Sequence, residues 1–274
     1  MNQITEDVAA AIKEVRAKVP LIHNITNYVT VNDCANAVLA IGASPIMADD
    51  IAEAADITAI SSALVINMGT LNQRTIASMI ASGKKANESG IPVIFDPVGA
   101  GASKLRNDTT KALLDQVKIA ILRGNASEIS FIAGLEASTK GVDAADIDTK
   151  NDAVEIAKAV AKKHKCIVAI TGAVDVISDG EKIVKIKNGH PMLSKVTGTG
   201  CMTSALVGSF AGAIKDYFIA AVGGVASMGI AGDIAYEKTG SIGTGSFHIA
   251  IIDALSNVNT QIVEERAKLY EEQY

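Results

Sequence analysis

Six stretches of this 274-residue chain place polar or small residues directly after an apolar run. They are His23-Asn24-Ile25-Thr26-Asn27, Met47-Ala48-Asp49-Asp50, Asn67-Met68-Gly69-Thr70, Asp96-Pro97-Val98-Gly99-Ala100-Gly101, Arg123-Gly124-Asn125 and Thr171-Gly172. Such residues can bind an anion, a metal or a hydroxyl. Turns also favour Gly, Asn, Asp and Thr for backbone reasons, which is the plainer account of any single stretch. The coincidence across six stretches points to a ligand site.

Gly198-Thr199-Gly200-Cys201 leads into a small-residue helical stretch, Met202 to Ile214. A glycine-rich turn at a helix N-terminus exposes backbone N–H groups beside the positive end of the helix dipole, which suits an anion. No Gly-Lys-Ser/Thr follows, so this is not a Walker loop, and it lies too late in the chain for a dinucleotide fingerprint. Close helix packing would explain the same glycines equally well. Asn125-x-x-Glu128 also has two readings. It matches a capping box, which the spacing alone favours. Glu128 could instead hold a magnesium-bound water near a triphosphate, with Asp96 as a second carboxylate, because Mg²⁺ uses one or two carboxylates plus waters and phosphate. His23 could act as a base, but a satisfied loop histidine is the simpler reading. His164, His190 and His248 share no metal-ligand spacing.

The elements that must position these residues alternate. Strand-length apolar runs are expected at Leu21–His23, Pro45–Ala48, Ala63–Asn67, Val93–Asp96, Ile119–Arg123, Cys166–Thr171 and Asp175–Ser178. The Asp179-Gly180 turn and Lys182–Lys187 complete a hairpin expected at a sheet edge. Helical periodicity falls at Asn72–Ser89 and Asp152–His164, and after Gly198 the pattern is helical only, about 200–214, 217–237 and 245–271. This alternation predicts a mainly parallel sheet covered on both faces, in one domain over 1–274, with ligands beyond the carboxyl ends of the strands.

Composition narrows the function. With 25 Lys+Arg against 30 Asp+Glu the net charge is −5, and no basic cluster offsets it, so a phosphate-neutralising nucleic-acid binder is excluded. Apolar residues make up 49% and charged ones 20%, too apolar for a disordered chain. Aromatics are 4% and Trp is absent, so a ligand is expected to rest on backbone, small polar and aliphatic groups. Cys34, Cys166 and Cys201 form neither a disulfide framework nor a zinc site. No signal peptide is read at the N-terminus. The apolar region Met202–Tyr236 is interrupted by Lys215, Asp216 and Asp233, leaving pieces shorter than the roughly 18–20 residues of a span. The expectation is a cytoplasmic protein with no membrane partner.

The strings His23-Asn24-Ile25-Thr26-Asn27, Asp96-Pro97-Val98-Gly99-Ala100-Gly101-Ala102, Arg123-Gly124-Asn125-x-x-Glu128 and Gly198-Thr199-Gly200-Cys201 occur in the order found in hydroxyethylthiazole kinases. From about Pro20 to Ile251 the chain resembles that family of the ribokinase-like superfamily, most of whose other members carry Asp where Cys201 stands. The resemblance implies a three-layer α/β/α fold with a mainly parallel central sheet and an all-helical C-terminal part. It implies ATP- and Mg²⁺-dependent phosphorylation of the primary alcohol of 4-methyl-5-(2-hydroxyethyl)thiazole, a step of thiamine salvage. Carried over by position, Met47, Gly198 and Asn27 look like thiazole-site residues, and Arg123, Thr171 and Asn125 look like ATP contacts. Asp96 and Glu128 look like the residues that organise Mg²⁺. Gly198, Thr199, Gly200 and Cys201 resemble the catalytic anion hole, with Cys201 a modest base at most. The family further implies a homotrimer with sites between subunits. Rival readings are a kinase for another small alcohol such as a hydroxymethylpyrimidine, a nucleotide-dependent dehydratase, and a non-catalytic nucleotide-binding subunit.

Overall fold

The computed structural model describes residues 2–135 and 152–272. Among them, nine strands form one sheet in the order β2-β1-β3-β4-β5-β6-β7-β8-β9. Strands β1 (Leu21–Ile25), β2 (Ser44–Ile46), β3 (Ala63–Asn67), β4 (Val93–Asp96), β5 (Ile121–Asn125) and β6 (Ile167–Thr171) run parallel. Strands β7 (Asp175–Ser178), β8 (Ile183–Ile186) and β9 (Leu269–Glu272) continue the sheet antiparallel.

Both faces are covered, and the strands show why. Ile22, Val65, Ile94, Ile121 and Ala169 point into one apolar core, while Leu64, Ile66, Phe95, Leu122 and Val168 point into another. Period-two side chains that are apolar on both faces belong to a parallel sheet sandwiched between helices. The first face carries α1 (Gln3–Lys18), α2 (Val31–Ile41), α8 (Thr199–Ala213), α9 (Tyr217–Thr239), α10 (Thr244–Asn257) and α11 (Thr260–Arg266). The second carries α3 (Ala54–Ala59), α4 (Gln73–Glu88), α5 (Lys104–Gln116), α6 (Ala126–Ala133) and α7 (Asp152–His164). Small residues set the spacing of the first layer: a Cβ on Gly224 of α9 would lie 2.6 Å from the Val207 backbone of α8.

The three-layer expectation holds, and three details of the sequence reading do not. The stretch expected as one helix over 245–271 is two helices and a strand. Val258 ends α10, Asn259 caps α11 by accepting from Ile262 N–H at 2.9 Å, and β9 then pairs with β8. That pairing covers an edge of backbone groups, a tertiary demand with a weak sequence signal, since Leu269 alone of the four β9 residues is buried. The β7–β8 hairpin therefore sits one strand inside the edge. The apolar helix Tyr217–Thr239 is long and apolar enough to cross a membrane, contrary to the length expectation. Of its most apolar window, 94% is buried inside the protein.

Register brings the polar strand ends level. Asn67 of β3 pairs with Asp96 of β4, and Asn125 of β5 with Thr171 of β6. One rim of the sheet thus collects the chemistry of four strands.

Candidate active site

The N-terminus of α8 faces this rim. Gly198 is its N-cap at φ +87°, a left-handed conformation that costs other residues roughly 1–2 kcal/mol. No side chain caps the helix, and Thr199 Oγ1 turns away to donate to the Leu193 carbonyl at 3.1 Å. The first-turn amides of Thr199, Gly200 and Cys201 therefore keep the positive end of a 15-residue helix open.

Arg123 lies across this turn. A Cβ on Gly200 would sit 3.0 Å from Arg123 Nη1, so the glycine lets the guanidinium rest there without being pushed back by a few tenths of an ångström. Nη2 donates to Thr171 Oγ1 at 2.6 Å, and Nη1 approaches Asp96 Oδ2 at 3.4 Å. Asp96 is fully buried. Its Oδ2 also accepts from Ser204 Oγ at 2.6 Å and from Asn67 Nδ2 at 3.0 Å. Its other oxygen, Oδ1, is buried without a partner, and so is Arg123 Nε. Burial pushes the Asp96 carboxyl above the usual range, against the pull of Arg123 and its three donors. An orphaned acceptor and an orphaned donor beside an uncapped helix end are what an absent charged ligand would satisfy.

Glu128 resolves the capping question by doing more than capping. The capping box is present: Asn125 Oδ1 accepts from Glu128 N–H at 2.9 Å, and Glu128 Oε2 from Asn125 N–H at 2.8 Å. Its second oxygen, Oε1, accepts from Gly99 N–H at 2.8 Å, tying the β4–α5 loop to α6. Burial first, and the Asp96 charge second, raise this carboxyl above its usual range. Two mutually repelling buried carboxyls with one free oxygen on Asp96 fit a hydrated Mg²⁺. Among the described residues no group of three or more His, Cys, Asp or Glu could hold a metal ion.

Cys201 sits where two effects on a thiol oppose each other. A helix N-terminus can lower a thiol's pKa. Here burial raises it, and Asp96 adds to the rise against hydrogen bonds from Thr30, Asn27 and Asn67. The thiol is neutral at physiological pH. Asn27 Nδ2 reaches Cys201 Sγ at 3.0 Å and Asn67 Oδ1 at 3.3 Å, which joins the β1 end to α8. Met47 follows β2 and packs, partly buried, against the same core face as Cys201.

His23, expected as the last residue of a strand entering a loop, lies inside β1, which continues to Ile25. It is fully buried in β1, with Nδ1 2.8 Å from Thr58 Oγ1 and Nε2 2.7 Å from the Ala48 carbonyl. A carbonyl only accepts, so Nε2 carries the proton. Burial lowers the ring pKa, keeping it neutral. It holds the segment after Met47 in place and does not touch the reaction rim. Asn67, named among the polar strand ends, joins the site through Asp96, and Ser204 and Arg106 join it without having been singled out as functional. Asn67 ends its strand and Ser204 lies one turn beyond Cys201, so both had a positional signal; Arg106 had none.

Comparison with known proteins identifies the family of the chain. The profile of the hydroxyethylthiazole kinase family matches residues 12–261. A hydroxyethylthiazole kinase of Ruminiclostridium cellulolyticum is 69% identical over 272 residues, 99% of this chain and 100% of its own length. The structure of a hydroxyethylthiazole kinase from Pyrococcus horikoshii superposes with a TM-score of 0.89 at 38% identity, covering 97% of this chain and 99% of that one. An ADP complex of Bacillus subtilis pyridoxal kinase shares the fold at TM-score 0.56 and 18% identity, covering 77% of this chain and 90% of its own.

Proposed function

The chain belongs to the hydroxyethylthiazole kinase family, and on that footing we propose that it transfers the γ-phosphoryl group of ATP to the primary hydroxyl of 4-methyl-5-(2-hydroxyethyl)thiazole, a step of thiamine salvage. The observation that carries this reading is the meeting of two incompletely satisfied buried groups at the uncapped start of α8: Arg123 Nη1 lies against Gly200 and Asp96 Oδ2 accepts from Ser204, while Arg123 Nε and Asp96 Oδ1 are buried without a partner.

Phosphoryl transfer needs little covalent help, because its transition state is loose and positioning with charge stabilisation dominates. The amides of Thr199 to Cys201 and the Arg123 guanidinium receive the charge on the transferring group. Thr171 fixes Arg123, and Asn125 shapes the start of α6 next to it. Asp96 and Glu128 would hold Mg²⁺, which shields the charge of the polyphosphate. A loose transition state asks for little deprotonation of the alcohol, so the neutral Cys201 thiol serves as a hydrogen-bonding neighbour of the hydroxyl. Asn27, Gly198 and Met47 line the acceptor side, where a flexible thioether packs well against a heteroaromatic ring.

Assembly into a homotrimer with sites between subunits belongs to the same proposal, as does a cytoplasmic location where ATP is available. Its support is the apolar exposure beside the acceptor side: Tyr28 and Val29 follow Asn27 and are 77% and 55% exposed. Leu39 on α2 and Ile249 on α10, two helices that pack together, are 58% and 64% exposed. Sedimentation velocity reads the mass directly, and a monomer at micromolar concentration overturns the trimer. For the activity, ATP turnover is measured with hydroxyethylthiazole, with hydroxymethylpyrimidine and with no acceptor. Turnover confined to the thiazole alcohol is expected. Preference for the pyrimidine overturns the substrate assignment, and no turnover with either alcohol overturns the kinase reading.

A further inference from the structure

The guanidinium of Arg106 uses its two terminal nitrogens on backbone alone. Nη1 donates to the Met68 carbonyl at 2.6 Å and to the Val98 carbonyl, and Nη2 donates to the Gly69 carbonyl at 2.7 Å. These acceptors lie in two different loops, one after β3 and one after β4. The side chain is pressed against them: a Cβ on Gly99 would stand 3.0 Å from Arg106 Cδ.

Each loop ends on one half of the site. Gly69 lies against Asn27, where an added Cβ would come within 2.4 Å of Asn27 Nδ2. Gly69 N–H also donates to Asn67 Oδ1 at 2.9 Å. Asn27 and Asn67 in turn flank Cys201 and Asp96. In the other loop, Gly99 N–H donates to Glu128 Oε1. One planar fork thus sets the distance between the acceptor side and the buried acids.

We infer that Arg106 is a positioning residue for the transfer reaction, joining the loops after β3 and β4 so that the Asn27–Cys201 half and the Glu128 half of the site keep one spacing. Arg106 makes no ion pair among the described residues, and its terminal nitrogens serve carbonyls, so it acts through the backbone and not on the nucleotide. This rests on the proposed kinase reading, although part of its test does not.

Lysine keeps the charge but cannot span three carbonyls with a rigid fork. Arg106→Lys is therefore expected to lower kcat about 10- to 100-fold and to raise KM for the alcohol, since a misplacement near 1 Å costs about 10². Affinity for a non-hydrolysable ATP analogue, read by calorimetry, is expected to change less than about threefold, because Arg123, Thr171 and α8 are untouched. A variant with wild-type kcat and KM but a lower Tm would show that Arg106 only holds the fold, overturning the inference. Equal losses in nucleotide affinity and kcat would place Arg106 on the nucleotide, also overturning it. Amide exchange in the unsubstituted protein tests the inference even if the variants do not fold or no turnover is seen. Strong protection of Gly69 and Gly99 N–H is expected, and free exchange there overturns the clamp.

Discussion

Gly200→Ala separates the chemistry of the glycine turn from its folding. Gly200 stands within the first turn of α8, and no left-handed backbone is recorded for it. Alanine is the better helix former by up to about 1 kcal/mol, so the backbone gains from the change. The cost falls on Arg123. The new Cβ would meet Nη1 at 3.0 Å and Nη2 at 3.3 Å, so the guanidinium must yield by a few tenths of an ångström. It can yield, since it is the far end of a flexible side chain, but it is anchored by Thr171 at 2.6 Å and faces Asp96. Moving it while a methyl group fills the space before the open amides is expected to lower kcat/KM for ATP about 10- to 100-fold, or 1.4 to 2.7 kcal/mol. The assay pairs thermal melting with steady-state turnover at varied ATP. Tm is expected to be unchanged or higher. Gly198→Ala is the contrast: at φ +87°, with its Cβ 2.7 Å from Thr30 Cγ2, it should cost stability by roughly 1–3 kcal/mol. Full activity in Gly200→Ala would refute the placement of the phosphoryl group between α8 and Arg123.

Cys201→Ala should lower kcat less than about a thousandfold, since general-base catalysis is typically worth 10²–10⁴ and a neutral thiol supplies little of it. A larger loss would make the thiol an obligatory base. Glu128→Gln should lower stability and raise the Mg²⁺ requirement together. Both carboxylate oxygens accept N–H bonds, and the amide –NH₂ would face one of those donors, costing about 1–3 kcal/mol. A melting loss with unchanged Mg²⁺ dependence would reduce Glu128 to a cap. Asp175, almost fully buried, has its carboxyl pushed up to about 7 by burial, partly offset by Gly172 N–H and Arg123. Its folded pKa exceeds the ordinary 3.8, so the folded state binds the proton more tightly and loses stability as pH rises from about 4 to 7. Asp175→Asn keeps the acceptor for Gly172 N–H and should be more stable than wild type at pH 8, by at most about 4 kcal/mol. That advantage should vanish near pH 4, and a difference in Tm that does not vary with pH would refute the assignment.

Much of the framework was legible. Ala63–Asn67, Val93–Asp96 and Asp175–Ser178 emerge as strands with the expected ends, and Asp152–His164 as a helix. Continuous apolar runs and a clean i, i+3, i+4 stripe are local signals that burial reinforces. Strand β9 was not legible, because its role is to cover β8 and its own side chains are mostly exposed. His23 read as the end of its strand, entering a loop, because polar side chains follow the apolar run there, whereas β1 continues to Ile25. The structure keeps it on the strand by satisfying both ring nitrogens.

The site divides along the same line. Residue types, their order at the strand ends and the glycine turn before α8 follow from the sequence, because turn chemistry and helix starts depend on near neighbours. Register and burial decided the rest. Only the parallel sheet brings Asn67 level with Asp96 and Asn125 level with Thr171. Burial is why Cys201 is a neutral thiol at a helix N-terminus, and, with the Asp96 charge beside it, why the Glu128 carboxyl lies above its usual range. Arg106 depended most on tertiary structure. Its three acceptors lie 8 to 38 positions away in the chain, and backbone carbonyls have no residue type to announce them.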